Sequence, residues 1–195
     1  QDYVAAREAA MEMEDIALEL NNKYLLLQSK TALLCVYTYQ LQVDLAEPLA
    51  AQNLKDAVAL NDNRMKAFNM HFYSDCAIMN KDFNEAEKRY SVAMKSYLDN
   101  GNQLGANNEL FGLVYAISGQ GRYMKALRLM GAVYAKYDEY GVQTPQLKFW
   151  MDWFEEYVNG ARKVVGEEKA AQYEQEGRQM GFENAVDYAL DFEKD

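Results

Sequence analysis

Few residues of this sequence stand at spacings that chemistry uses. Gly119-Gln-Gly121 opens like the dinucleotide fingerprint G-x-G-x-x-G, but Met124 takes the place of the last glycine and no strand pattern precedes it. No G-x-x-x-x-G-K-[S/T] phosphate loop occurs anywhere. His71 is the single histidine, which removes H-E-x-x-H zinc chemistry, and Phe68 stands where the acid of a Glu-x-x-His pair belongs. Cys35 and Cys76 lie 41 residues apart in apolar surroundings and read as small buried hydrophobes of a reducing compartment. Glu8, Glu12, Asp15 and Glu19 share one helical face, opposite Ala9, Met13, Ile16 and Leu20, which describes a solvated face better than a cation site. No serine, cysteine or lysine stands beside an evident base. A protein without catalysis, metal or cofactor is expected.

The elements that carry these residues repeat. At an offset of 40, Ala6, Ala46, Ala86 and Ala126 align, as do the apolar positions Tyr3, Val43, Phe83 and Tyr123. Asn21, Asn61, Gly101 and Gly141 align as helix stops, all residue types that tolerate a left-handed conformation. The unit is a helix pair, with first helices near 22–41, 62–80 and 102–118 and second helices near 3–20, 43–60, 83–100 and 123–140. The small residue at the alanine position lets two helices approach closely, and Gly131, a costly residue inside a helix, is read as serving the same end. Such pairs bury their apolar faces only by stacking, so the fold class is all-α, a superhelix of antiparallel pairs. The array spans 1–141. Capping helices of the same domain follow over 142–195, begun by Thr144 as N-cap and Pro145 and stopped first at Gly166. Phe149, Trp150, Trp153, Phe154 and Tyr157 form an aromatic bend that seals the end of the array.

Charge limits the partners. The chain of 195 residues has a net charge of −10, concentrated at its two ends, which opposes nucleic-acid binding. The most apolar run, from Tyr24, is broken by Gln28, Ser29 and Lys30, so no membrane span is expected. The acidic N-terminus is unlike a signal peptide, so a cytoplasmic location is expected. The start at Gln1 rather than Met suggests a piece of a longer polypeptide.

Gly121–Tyr123, the interface Ala126 and the helix-pair layout resemble the tetratricopeptide-repeat family, with a period of 40 where that family's is about 34. Residues 102–192, with "ALRLMGAVYAKYDEYG", Pro145 and "GEEKAAQYEQEGRQMGFENAVDYAL", are similar to the C-terminal ends of large bacterial multidomain regulators. In those, a helical-repeat tail follows a signal-transduction ATPase module, often with a DNA-binding, cyclase or kinase domain elsewhere. The resemblance implies a tail that senses or binds, and no chemistry within the tail.

If the first helices line the inner side, the 40-residue phase places Lys30, Val36 and Tyr37 there, then Lys66, Asn69, Tyr73 and Cys76, then Glu109, Leu113 and Ala116. Lys30, Tyr37, Lys66, Asn69, Tyr73 and Glu109 are the candidate contacts to a protein or peptide partner, or to other domains of the same polypeptide. The opposing expectation is that the longer period twists these residues into the inter-repeat core. A small-molecule effector in the aromatic bend near Trp150 and Trp153 is the alternative function.

Overall fold

The structure is a computed structural model and describes residues 2–144 and 147–191. Seven helices start every twenty residues: α1 (Tyr3–Glu19), α2 (Lys23–Tyr39), α3 (Val43–Ala59), α4 (Asn63–Met79), α5 (Phe83–Asp99), α6 (Gln103–Gly119) and α7 (Tyr123–Tyr140). No strand occurs among the described residues.

The joins explain the regularity. A left-handed residue lies just past each helix, the second residue after α1 to α6 and the first after α7, with φ of 49° at Asn21, 58° at Leu41, 53° at Asn61, 56° at Lys81, 70° at Gly101, 82° at Gly121 and 63° at Gly141. The next N–H then reaches back to the carbonyl five residues earlier, from Asn22 to Ala17 at 2.9 Å and from Asn102 to Tyr97 at 2.9 Å, closing a Schellman turn. At four joins that same residue caps the following helix. Asn22 accepts from the Tyr24 and Leu25 amides, Asp62 from Met65, Asp82 from Glu85, and Asn102 from Gly105. One residue therefore ends one helix and starts the next.

Each helix packs on its chain neighbours, and α4 also packs on both α2 and α6. The odd-numbered helices make no comparable row, so the even row lies inside the curve. Ala46, Ala86 and Ala126 are buried, as the repeat phase requires. Ala6 is exposed, because α1 is the first helix described and no described residue lies on its outer side.

Rings and glycines set the α5–α6 contact. Tyr97, Tyr90 and Phe83 of α5 lie over Gly105, Gly112 and Gly119 of α6, so that a methyl group at any of these glycines would overlap the facing ring. Both series step by seven residues, two helical turns, which keeps them on one face. Gly131 fulfils its expected role against a different partner: a side chain there would strike the Glu174 carbonyl, and one at Gly177 would strike that of Arg128. These two glycines bring α7 into backbone contact with α10 (Glu167–Met180), and α11 (Phe182–Leu190) packs on α7 and α6. Lys125 of α7 is buried here and donates to the Asp191 carbonyl at 2.5 Å.

Between array and cap runs one continuous helical stretch. It comprises α8 (Lys148–Trp153), a π-helical turn (Phe154–Asn159) and α9 (Gly160–Val165), and it stops at Gly166 with φ of 92°. It starts at Lys148 with Leu147 as N-cap, so Thr144 is not the cap that the sequence suggests; Pro145 lies outside the described residues.

Candidate functional site

The inner helices bear three parallel stripes. On α4, Arg64, Phe68, His71 and Asp75 follow one another at helical spacing. Gln28, Ala32, Cys35 and Tyr39 do the same on α2, as do Leu104, Asn108, Phe111 and Tyr115 on α6. Together they floor a concave furrow.

Half of the furrow is open. A groove of about 580 Å³ is lined by Gln28, Ala32, Cys35, Arg64, Phe68, Leu104 and Asn108, with Thr31, Met65, Gly105, Tyr97 and Asn102 along its walls. Phe68 is 39% exposed although it faces inward. Arg64 is the only charged residue in the lining. Its guanidinium donates to the Tyr24 hydroxyl at 3.2 Å, and no carboxylate pairs with it among the described residues. A partly apolar trough with one cation and several amides suits a segment that brings an apolar side chain and a carboxylate.

The other half is covered by α8. Phe149 packs 5.7 Å from Tyr39, while the Trp150 ring lies 5.5 Å from His71, 5.2 Å from Phe111 and 5.7 Å from Tyr115. Beneath Trp150 sits a cluster of charge. His71 Nδ1 bonds Glu109 Oε1 at 2.9 Å, and Nε2 lies 3.6 Å from Asp75 Oδ2. The other Asp75 oxygen accepts from the Tyr90 hydroxyl at 2.5 Å.

Burial alone would depress the His71 pKa, but the charges of Glu109 and Asp75 and the Glu109 hydrogen bond outweigh it and raise it to about 9. His71 is therefore an imidazolium at neutral pH. Burial pushes Asp75 up to about 6 against the pull of His71 and Tyr90, with Glu109 adding to the rise, and burial raises Glu109 as well. The Trp150 indole helps hold Asp75 down without reaching hydrogen-bond geometry. A charged histidine bridging two carboxylates ties α4 to α6 and fixes the floor of the furrow. Sealed under α8, it does not present a general base to the groove. Among the described residues, no group of three His, Cys, Asp or Glu side chains could hold a metal.

None of the six partner-contact candidates from the sequence lines the groove. Asn69 is buried between helices, where it donates to the Met65 carbonyl at 2.9 Å and to Thr31 at 3.0 Å and accepts from Asn53 at 2.9 Å. Glu109 is buried under His71. Tyr73 is half-buried, its ring centroid 3.5 Å from the Arg89 guanidinium, and Tyr37 packs against the Leu34–Phe72 cluster. Lys30 faces Asp56 at 3.9 Å, and Lys66 is half-buried away from the groove. The true inner stripe is rotated from the expected one, so that Phe68 rather than Asn69 faces inward. Asn69, Glu109 and Tyr37 thus take part in contacts between helices. The aromatic bend is filled by its own rings: Trp150 and Trp153 are buried, with Tyr115 6.0 Å from Trp153 and Phe149 5.0 Å from it.

The described chain is an all-α superhelix of antiparallel helix pairs with a helical C-terminal cap. No helix among the described residues is long and apolar enough to cross a membrane. Comparison with known protein families, with curated proteins and with solved structures finds no match.

Proposed function

We propose that this chain is a non-catalytic helical-repeat interaction domain of a bacterial signalling or transcriptional regulator. Its concave furrow receives a segment of a partner protein or of another domain of the same polypeptide. One observation carries the reading: the inner row leaves a groove of about 580 Å³ in which Phe68 is 39% exposed and Arg64 faces no carboxylate among the described residues. An array whose inner helices served only packing would cover both. The resemblance to regulator tails supplies the biological setting, and the excess of negative charge argues against nucleic acid as the ligand.

The test compares capture of a binding partner by the wild type, by Phe68→Glu and Arg64→Glu in the groove, and by Val58→Glu on the exposed outer side of α3. A furrow ligand is lost from both groove variants and retained by Val58→Glu, with helicity unchanged in all. A partner held equally by all four proteins refutes the reading.

A further inference from the structure

The furrow comes with an occupant for half its length. Tyr39, Phe111 and Tyr115, which receive Phe149 and Trp150, continue the stripes that floor the open groove. The Tyr115 hydroxyl donates to the Trp150 carbonyl at 3.0 Å, so the seat holds backbone as well as rings. An adjacent aromatic pair is therefore something this surface demonstrably fits.

Several features make the occupant displaceable. Helix α8 is the first six residues of the continuous helical stretch and runs directly into a π-helical turn, where the regular helical bonding is interrupted. Its contact also leaves polar atoms unpaired. Trp150 Nε1, Asp75 Oδ2 and Glu109 Oε2 are buried without a hydrogen-bond partner among the described residues. Each forfeits hydration while the seat is closed, which offsets part of what the ring contacts contribute.

We propose that α8 is a built-in competitor for the furrow, displaced by a partner segment that carries an aromatic pair and a nearby carboxylate. The pair takes the seat of Phe149 and Trp150, and the carboxylate reaches Arg64, which pairs with no carboxylate among the described residues, in the continuous open half. This rests on the reading of the furrow as the docking surface and adds the ligand's chemistry and its regulation.

The test uses a fluorescein-labelled peptide of residues 147–159 as probe, titrated into the full chain and followed by anisotropy. The Trp150→Ala chain, its own seat vacated, should bind at least ten-fold more tightly than wild type. A peptide with both Phe149 and Trp150 replaced by alanine should bind neither protein. Hydrogen exchange of the ¹⁵N-labelled wild type needs no variant and covers the case in which Trp150→Ala does not fold. At saturating peptide, amides of 148–159 in the protein should exchange faster. Equal affinity for the two proteins, undiminished binding of the alanine peptide, or unchanged protection of 148–159 with peptide bound would each overturn the proposal. If it falls while partner capture still responds to Phe68→Glu, the docking surface stands and only the displacement is lost. If Phe68→Glu affects neither, the furrow reading falls too.

Discussion

The imidazolium under Trp150 makes a prediction that a single titration can decide. A histidine whose folded pKa lies above its unfolded value stabilises the fold fully below the unfolded pKa, and that contribution is lost as pH rises through the folded one. For His71 the two values are 6.5 and about 9, so the window is pH 6.5 to 9. A difference of about 2.5 units at 1.36 kcal/mol each gives a loss of about 3 kcal/mol across it. The facing groups are Asp75 on its own helix, Glu109 on α6 and Tyr90 on α5, with Trp150 above. Tyr90 is held well above its usual range and does not titrate in this window. Asp75 is half ionised near pH 6, and its raised pKa lowers stability mainly between 3.8 and 6, with only the end of its ionisation reaching into the window. The thiols of Cys35 and Cys76 are both pushed up to about 12 by burial, so they act only above pH 9.

Urea unfolding of wild type and His71→Gln at intervals from pH 6 to 9 reads the effect directly. The wild type should be the more stable at pH 6.5, with its advantage shrinking steadily toward pH 9. Because His71 is the only histidine, its imidazole proton resonance needs no assignment and should titrate well above 6.5. A resonance titrating at or below 6.5, or parallel pH dependence of the two proteins, would refute the ion-pair account.

Three further substitution sets test the packing. Gly112→Ala forces Tyr90 away from Asp75 and should cost about 1–3 kcal/mol, whereas Gly160→Ala, with open space around it in a helix, should gain up to about 1 kcal/mol; both are read by urea midpoint. Leu41→Gly and Lys81→Gly relieve left-handed strain at exposed turn positions and should each raise the midpoint, by up to about 1 kcal/mol. Ala86→Leu and Ala126→Leu should overpack the repeat contact at about 1–3 kcal/mol, and unchanged melting temperatures in both would refute that account of the packing.

The array was legible because its period rests on residue types with few substitutes. An alanine buried at each helix contact admits little else, and it recurs at 46, 86 and 126. The twenty-residue rhythm of the turns was half hidden. Asn21, Asn61, Gly101 and Gly141 advertise a left-handed conformation, but Leu41 and Lys81 adopt it under compulsion from the Schellman bonds on either side. The glycines of α6 were visible as letters, but their meaning depended on the rings of α5, and no propensity argument joins the two.

The furrow escaped for a geometric reason. Contacts between neighbouring inner helices span 38 or 40 residues: Thr31 bonds Asn69 and His71 bonds Glu109 across 38, and Arg64 bonds Tyr24 across 40. The phase of 40 holds along the inner stripe, where Gln28, Phe68 and Asn108 are 40 apart, and the expected residues Asn69 and Glu109 sit one position to its side. On a helix, moving from Asn69 to Phe68 turns the side chain by about 100°, from the contact between helices to the groove. An offset of 38 would have set the lone histidine against Glu109, the one carboxylate between Asp99 and Asp138. Covering by α8 had no such signal, because it joins residues 39, 71 and 115 to 149 and 150 outside any repeat. The same asymmetry bears on function: an element that lies outside the period but sits in the furrow can be exchanged without disturbing the array beneath it.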